Sequence, residues 1–398
     1  MRLGQNILTF SPTSECKDKD ACSDHFDPGV DWSTTTMPWK SCVVDELKSG
    51  AAVLRMMKAS KISGTGSAIA AWADRQQPRN PDQYPTPGHR HPTKGVAYEW
   101  QIVLAAQTGS DLWLNVPRHA ITPALTNNGT ALPDFVVRLA LLVKTGVDTT
   151  GVDLLAHMGH LSSLTAAQLI QLGGNATIAP LPASQRLYLE YGNENWCEES
   201  KWQKEMAAEI GNGVNKITYS AWASVQMFYA ADAVFGAEAP ARVFHLLRGQ
   251  VGSPAITEQH LRFVNATGAR LDGYAVAPYV GGSHGGTTIS SMIAFLPKVA
   301  SLLAAQQAKI AQFSTTAKMI AYEGGQSIFP DKKHINDQPG MGTFYTAYWK
   351  AMAPHFTGDA AFVHFGYAGG GGTWGLKVYP GEPTAKAYKW VASEPWFP

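Results

Sequence analysis

Glu194 and Glu323 hold the positions in this chain where carboxylate chemistry is most expected. Glu194 ends the run Leu187-Tyr188-Leu189-Glu190-Tyr191-Gly192-Asn193, and Glu323 ends Met319-Ile320-Ala321-Tyr322. Each closes a stretch of strand-forming residues and is followed by small or turn-forming ones. Two carboxyl groups flanking one cleft can cleave a glycosidic bond. One protonates the departing oxygen, and the other attacks the anomeric carbon or activates water. A gap of about 5–5.5 Å gives direct attack and retention, whereas a wider gap admits water and gives inversion. The two groups must also differ in proton affinity, so that one is protonated while its partner is ionised. An arginine beside the nucleophile would keep it ionised, and Arg55, late in another apolar run, is the candidate. A single glutamate at a strand end is more often a cap neighbour or a surface charge; two of them in such apolar runs favour function. Glu190 shares strand parity with Glu194 and reads as an inward, hydrogen-bonded structural carboxylate. Glu99, which opens a helix, reads as structural too.

The elements that must position these groups alternate along the chain. Short β-rich runs are expected at 5–10, 52–57, 111–116, 186–191, 241–247, 273–277, 318–322 and 361–365. Helical patterns lie near 43–48, 98–108, 133–144, 198–235, 254–266, 289–312 and 341–353. Strand–helix alternation implies an α/β fold with parallel strands covered by helices. Eight such units fit one (β/α)8 TIM barrel with extended loops in its first half, notably over 64–95, and a single domain spanning 1–398. The rival, an open doubly wound sheet, lacks its Gly-x-Gly-x-x-Gly turn after an early strand.

Chemistry in such barrels gathers at the C-terminal ends of the strands. Those ends present Arg55, then Arg118 and His119, then Asn193 with Glu194, then Tyr279, then Glu323. After the last strand a glycine run, Gly369 to Gly372, leads to Thr373 and Trp374. His119 fits a cleft position beside the leaving sugar as well as it fits a histidine satisfied by a backbone carbonyl. His245, Arg248 and Arg118 are either cationic contacts to an anionic sugar or partners of neighbouring loops. Trp72, Trp196 and Trp202 are candidates for stacking on sugars, whereas Trp113, inside a strand, reads as core. His157 and His160 have helical spacing for a metal but no evident third ligand, so no metal and no cofactor is expected. His89-Arg90-His91 reads as a solvated loop. No Gly-x-Ser-x-Gly elbow or Gly-x-x-x-x-Gly-Lys phosphate loop is present.

The segment Leu189-Glu190-Tyr191-Gly192-Asn193-Glu194 resembles the fourth-strand motif of clan A glycoside hydrolases, and Ile320-Ala321-Tyr322-Glu323-Gly324-Gly325 is similar to their seventh-strand segment. The order of strands carries this resemblance from about Ala52 to Trp374. It implies a retaining (β/α)8 glycosidase with Glu194 as general acid/base and Glu323 as nucleophile. It also implies that Asn193 bonds the sugar 2-hydroxyl, Tyr279 orients the nucleophile, Arg55 holds its charge and Trp374 is an aromatic platform. A less characterised branch with a Tyr-Gly-Asn-Glu-Val-Trp-Asn type motif and a Leu-Arg-Phe-Met type second strand is similar as well. Here these read Tyr191-Gly192-Asn193-Glu194-Asn195-Trp196-Cys197 and Leu54-Arg55-Met56-Met57. In place of the sixth-strand His of some clan members, Ala277 and Pro278 precede Tyr279.

Composition agrees with a partner that is a neutral surface of hydroxyls. The 398 residues carry Lys+Arg 32 against Asp+Glu 31, a net charge of +1, and only 16% are charged. With 45% hydrophobic residues the chain is not disordered, and without a basic excess it is not a general nucleic-acid binder. No run reaches the roughly 18 uncharged apolar residues that would span a bilayer, so no membrane association is expected. Twelve Trp point mildly to flat ligands such as sugars. Cys16, Cys22, Cys42 and Cys197 allow three complete pairings or four free thiols. With sequons at Asn128, Asn175 and Asn265, they incline the expectation toward a secreted protein, although no signal peptide is visible. No sustained apolar seam indicates an oligomeric state. The expected function is hydrolysis of an oligo- or polysaccharide with retention. The alternatives are a barrel that binds carbohydrate without cleaving it, or a transglycosylase.

Overall fold

The computed structural model describes residues 1–6, 26, 30–60, 69–80, 83, 94–194, 200–211, 213–314, 316–328, 335–368, 374–377 and 380–398. The eight strands are β1 (Arg2–Asn6), β2 (Val53–Arg55), β3 (Asp111–Val116), β4 (Leu187–Tyr191), β5 (Val243–Arg248), β6 (Gly273–Val276), β7 (Lys318–Ala321) and β8 (Ala361–His364). Each pairs in parallel with the next, and β8 returns to β1 with Arg2 opposite Ala361, so the sheet closes into a barrel. This is the expected α/β architecture.

The main covering helices are α1 (Ser41–Gly50), α2 (Tyr98–Thr108), α3 (Asp134–Thr145), α4 (Ser200–Ile210), α5 (Lys216–Phe235), α6 (Pro254–Thr267), α7 (Ile289–Phe313) and α8 (Gly340–Met352). The single helix expected over 198–235 is two. Asn215 stops it: its side chain accepts from the N–H groups of Ile217 and Thr218, and Thr218 bonds back to its backbone, which starts α5 afresh. The fifth strand starts later than expected, because Ala239–Arg242 forms a helical turn opened by Pro240. Helix α7 is long and apolar enough to cross a bilayer by length and composition. Its buried residues Met292, Leu296, Val299, Leu303, Gln306 and Ile310 recur at helical spacing. Gln306 donates to the carbonyls of Gln250 and Val251, so that face is seated on the strand ends.

Well-defined extra length lies in the first half, but much of it is away from the strand ends that matter. Residues 146–186 connect α3 to β4 through a two-residue ladder of Val147–Asp148 with Asn175–Ala176, a 3-10 stretch at Leu155–Ser163 and a short helix at Ala166–Gln171. A connection from helix to strand belongs to the N-terminal rim of a barrel, opposite the chemistry. Most of 64–95 lies outside the described residues. Cys42 is a free thiol; Cys16, Cys22 and Cys197 lie outside the described residues, as do His89 and His91. Asn128, Asn175 and Asn265 are exposed.

Inside the barrel, parity decides which side chains meet. Trp113, Tyr188 and Phe244, from β3, β4 and β5, are register partners and stack at centroid distances of 5.5 and 4.5 Å. These rings fill the barrel toward its base, and a layer of charged residues lies over them. Outside it, α8 applies Tyr345, Tyr348 and Trp349 to Phe362 and His364 of β8. His364 is buried between the Tyr345 hydroxyl at 2.7 Å from Nε2 and the Gly366 carbonyl at 2.9 Å from Nδ1. His260 is likewise buried, with the Tyr274 hydroxyl at 3.0 Å from Nδ1.

Burial pushes the pKa of His260 down to about 4 and that of His364 down to about 3. Both are therefore neutral in the fold, yet in the unfolded chain they take up protons below about pH 6.5. A folded pKa below the unfolded value means that their contribution is whole above that pH and drains as pH falls toward the folded values. Denaturant unfolding measured from about pH 7 to pH 4 should show stability falling with acid. In His364→Gln that slope should be shallower by up to about 1.4 kcal/mol per pH unit. Equal slopes in the two proteins would show that His364 is not held neutral.

Candidate active site

The charged layer is built around Arg55, the last residue of β2. Its guanidinium is fully buried and serves two carboxylates at once. Nε and Nη2 donate to the two oxygens of Glu190, both at 2.8 Å, and Nη1 donates to Glu323 Oε1 at 2.6 Å. Nη2 also reaches Asn193 Oδ1 at 3.0 Å. The Trp113 and Tyr322 rings lie 5.7 and 5.1 Å from its central carbon, within cation–π range.

Glu190 points inward from β4 beneath this arginine. It accepts from Trp113 Nε1 at 2.7 Å and makes a 2.9 Å ion pair with Arg248 from β5. Burial alone would favour its protonated form, but Arg55, Arg248 and the Trp113 bond hold its carboxyl below the ordinary value. Arg248 in turn donates to the Tyr191 carbonyl at 2.8 Å. The layer therefore balances Arg55 and Arg248 against Glu190 and Glu323.

Glu323 follows β7 and is buried, with a different partner on each oxygen: Arg55 on Oε1, and the Tyr279 hydroxyl at 2.7 Å on Oε2. Its setting is over-determined by the two glycines that follow. A Cβ at Gly324 would lie 2.6 Å from the Phe362 ring, and one at Gly325 would lie 2.4 Å from His364 Nε2. Gly325 N–H donates to the Tyr348 hydroxyl at 2.9 Å, and that hydroxyl donates to the Pro278 carbonyl at 2.9 Å. Tyr348 thus ties the end of β7 to the end of β6, one residue from Tyr279. Tyr279–Val280 and Gly325–Gln326 then run on as a small parallel ladder. Burial, foremost, and the nearby charge of Glu194 push the Glu323 carboxyl above the ordinary value, while Arg55 and Tyr279 pull against them.

Glu194 sits on a turn just past β4, with a backbone φ of 40°, a conformation rare outside glycine. That turn is tied at several points. Gly192 N–H donates to the Val116 carbonyl at 2.8 Å, Asn115 Nδ2 donates to the Gly192 carbonyl at 2.9 Å, and Arg118 Nη2 reaches the Asn193 carbonyl at 3.2 Å. Non-glycine residues held at positive φ concentrate at functional sites, where surrounding contacts outweigh the strain. The half-buried Glu194 carboxyl receives the Tyr322 hydroxyl at 3.5 Å. Because Asn193 Oδ1 is occupied by Arg55, its Nδ2 is the atom left to donate.

No protein-family model matches the chain, and no curated protein matches it in sequence. Solved structures do match it in fold. A family 51 arabinofuranosidase from Xanthomonas axonopodis pv. citri superposes with a TM-score of 0.58, over 99% of this chain and 72% of its own, at 11% identity. A family 51 α-L-arabinofuranosidase from Bifidobacterium longum gives 0.56, over 98% and 72%, at 11% identity. An α-L-arabinofuranosidase from Thermotoga maritima, solved with arabinose, gives 0.53, over 98% and 70%, at 12% identity. The chain has the fold of clan A glycosidase barrels. At such identity the likeness is one of fold.

The structure brings Arg55, Asn193, Glu194, Tyr279 and Glu323 into one constellation. His119, just after β3, stacks on Trp202 of α4 with centroids 4.7 Å apart. Trp374 joins at one remove: it packs edge-on to Phe365, which packs on Tyr279. Trp196 and the stretch 369–373 lie outside the described residues. Two candidate roles are excluded. His245 is no cleft cation, because its parity turns it outward onto Phe228 of α5 and to Asp232 at 3.1 Å. Trp72 is no sugar platform, because it is buried against Tyr98, Phe135 and Arg75 and bonds Asp148. His157 and His160 face each other at 3.0 Å in an exposed turn. Glu99 is buried against Arg75 at 2.6 Å. Tyr322 and Lys58 were not expected at the site. Tyr322 has the inward parity of β7, a signal present in sequence. Burial lowers the pKa of the Lys58 ammonium while the charge of Glu323 raises it.

Removing the Glu190 charge should unmask two buried guanidinium groups. Glu190→Gln is expected to lose about 3–5 kcal/mol of unfolding free energy, measured by urea denaturation. A loss below about 1 kcal/mol would mean that Arg55 and Arg248 find other anions, contrary to the pairing described.

Proposed function

We propose that this protein is a retaining glycoside hydrolase in which Glu323 is the nucleophile and Glu194 the general acid/base. The observation that carries the reading is the setting of Glu323: a buried carboxylate, one oxygen held by Arg55 and the other by Tyr279, next to a second carboxyl on a strained turn. In the first step a Glu323 oxygen forms a bond to the anomeric carbon as the bond to the departing oxygen breaks, and Glu194 gives that oxygen its proton. In the second, Glu194 takes a proton from water, whose oxygen displaces Glu323. The Asn193 amide is placed to donate to a sugar hydroxyl beside the reacting carbon. His119, with Trp202 behind it, and Trp374, behind Phe365, would flank the sugar. The fold neighbours make an α-L-arabinofuranoside the first probe among a panel of aryl glycosides and oligosaccharides.

Burial, foremost, and the charge of Glu194 outweigh Arg55 and Tyr279, so the Glu323 carboxyl ionises above the ordinary carboxylate value. The acidic limb of kcat/KM should therefore lie above that value. Tyr279→Phe, which removes one of the two bonds to the anion, should move it further upward; a limb that stays put would sever the link between that hydroxyl and the nucleophile. Glu323→Gly should lose at least about 10⁴-fold in turnover of aryl glycosides. Azide or formate should restore part of it by standing in for the missing carboxylate, and near-normal activity without them would refute the assignment.

A further inference from the structure

Beside Glu194 a cavity of about 200 Å³ opens between the ends of β5 and β6 and helix α7. Glu194, Tyr279 and Tyr322 form its inner wall. Its outer wall is hydrocarbon: Val251 and Ala277 from the strand ends, and Phe295, Val299 and Leu302 along one face of α7. The polar contributions are Gln250 and His284, both exposed at the rim. Neither Glu323 nor Asn193, Arg55, His119 or Trp374 lines it. The two carboxyls thus face different surroundings: Glu194 borders this chamber, and Glu323 does not.

The chamber is built by packing. Residues 281–286 fold back on themselves through bridges of Gly281 with His284 and of Gly282 with Gly286. Gly285 lies so close to Phe295 that a Cβ there would lie 2.7 Å from the Phe295 Cβ and 2.8 Å from its ring, which holds Phe295 in the wall. Val299 is buried, and Gln306, two turns further along α7, is tied to the Gln250 and Val251 carbonyls at 3.0 and 2.9 Å. Those bonds fix the α7 face relative to the β5 end.

We infer that this chamber is the leaving-group site and that it selects an apolar alcohol or phenol, one ring or a short alkyl chain, in place of a second sugar. The inference rests on Glu194 being the acid, since the group it protonates must lie against it. A second sugar carries hydroxyls around its whole ring edge, and those turned against Phe295, Val299 and Leu302 would lose water and gain no partner, at about 1–3 kcal/mol each. An apolar ring meets no such cost. A volume of about 200 Å³ is right for one ring, since an apolar cavity of about 150 Å³ admits benzene. Tyr279 and Tyr322 supply ring faces against which an aromatic group can pack edge-on or offset.

The test uses para-nitrophenol as the probe and glycerol as its polar counterpart, titrated into the full-length protein by calorimetry. Para-nitrophenol should bind in the millimolar range or tighter and glycerol should not. Val299→Trp, which fills the chamber, should weaken para-nitrophenol at least about tenfold, and Leu302→Gln should weaken it in the same direction. Thermal melting of both variants identifies one that fails to fold, and the other then carries the measurement. On whichever sugar the wild type hydrolyses, the ratio of kcat/KM for its para-nitrophenyl and methyl glycosides should fall at least about tenfold in the same variants. No binding of para-nitrophenol, equal binding of glycerol, or an unchanged ratio would overturn the apolar leaving-group site. Absence of hydrolysis on every glycoside would instead overturn the hydrolase reading, and the calorimetry would still decide the chamber.

Discussion

Arg55 is shared by two buried carboxylates, Glu190 and Glu323, and most of the site follows from that. A guanidinium offers five donors in a rigid fork, so one side chain can grip Glu190 with two nitrogens and still present a third to Glu323. A lysine could not do this. With no access to water, each charge in the group is tolerable only because the others are present. That interdependence explains the odd company around it. The Trp113 ring gives its N–H to Glu190, Arg248 neutralises the remaining charge, and the Asn193 amide is turned by the same guanidinium that holds Glu323. Orientation of the Glu323 carboxylate is thus set from below, by Arg55 and the Glu190–Arg248 pair.

The layers above and below this group divide the labour. Beneath it, Trp113, Tyr188 and Phe244 fill the barrel with stacked rings and exclude water from the ion cluster. Around it, Tyr348 of α8 joins two strand ends through one hydroxyl, so the residues flanking Tyr279 and Glu323 share a single support. Over it, the chamber beside Glu194 is apolar, in keeping with a chain that carries few charges. The near-zero net charge seen in composition coexists with a local concentration of buried charge, because each positive group there has a negative partner within contact.

Much of the architecture was legible in sequence. Seven of the eight strands were placed within two residues, because parallel strands buried on both faces leave apolar runs that helices interrupt; the first, expected over 5–10, runs Arg2–Asn6, and 7–10 lie outside the described residues. The failures have local causes. The helix expected over 198–235 breaks because a capping box at Asn215 overrides a continuous helical pattern, a signal that a closer look at Asn215 and Thr218 would have caught. Glu190 was readable as an inward carboxylate by its parity with Glu194. Of the two readings open for His245, the structural one holds, because nearness to a strand end does not fix orientation into the cleft. It alternates with Leu246 and Phe244 and belongs to the outer face, where it stacks on Phe228.

The sequence by itself determined the order of elements, the strand-end positions of Glu194 and Glu323 and the presence of an arginine on the second strand. Those follow from periodicity and turn-forming residues, which act over a few neighbours. Only the tertiary structure decided that Arg55 would bridge Glu190 and Glu323, that Trp72 would go to the core, and that α7 would wall a chamber beside Glu194. Those outcomes join residues distant in sequence, from 76 positions for Trp72 with Asp148 to 268 for Arg55 with Glu323. They depend on how the barrel closes and which strand faces turn inward, and no local pattern encodes that.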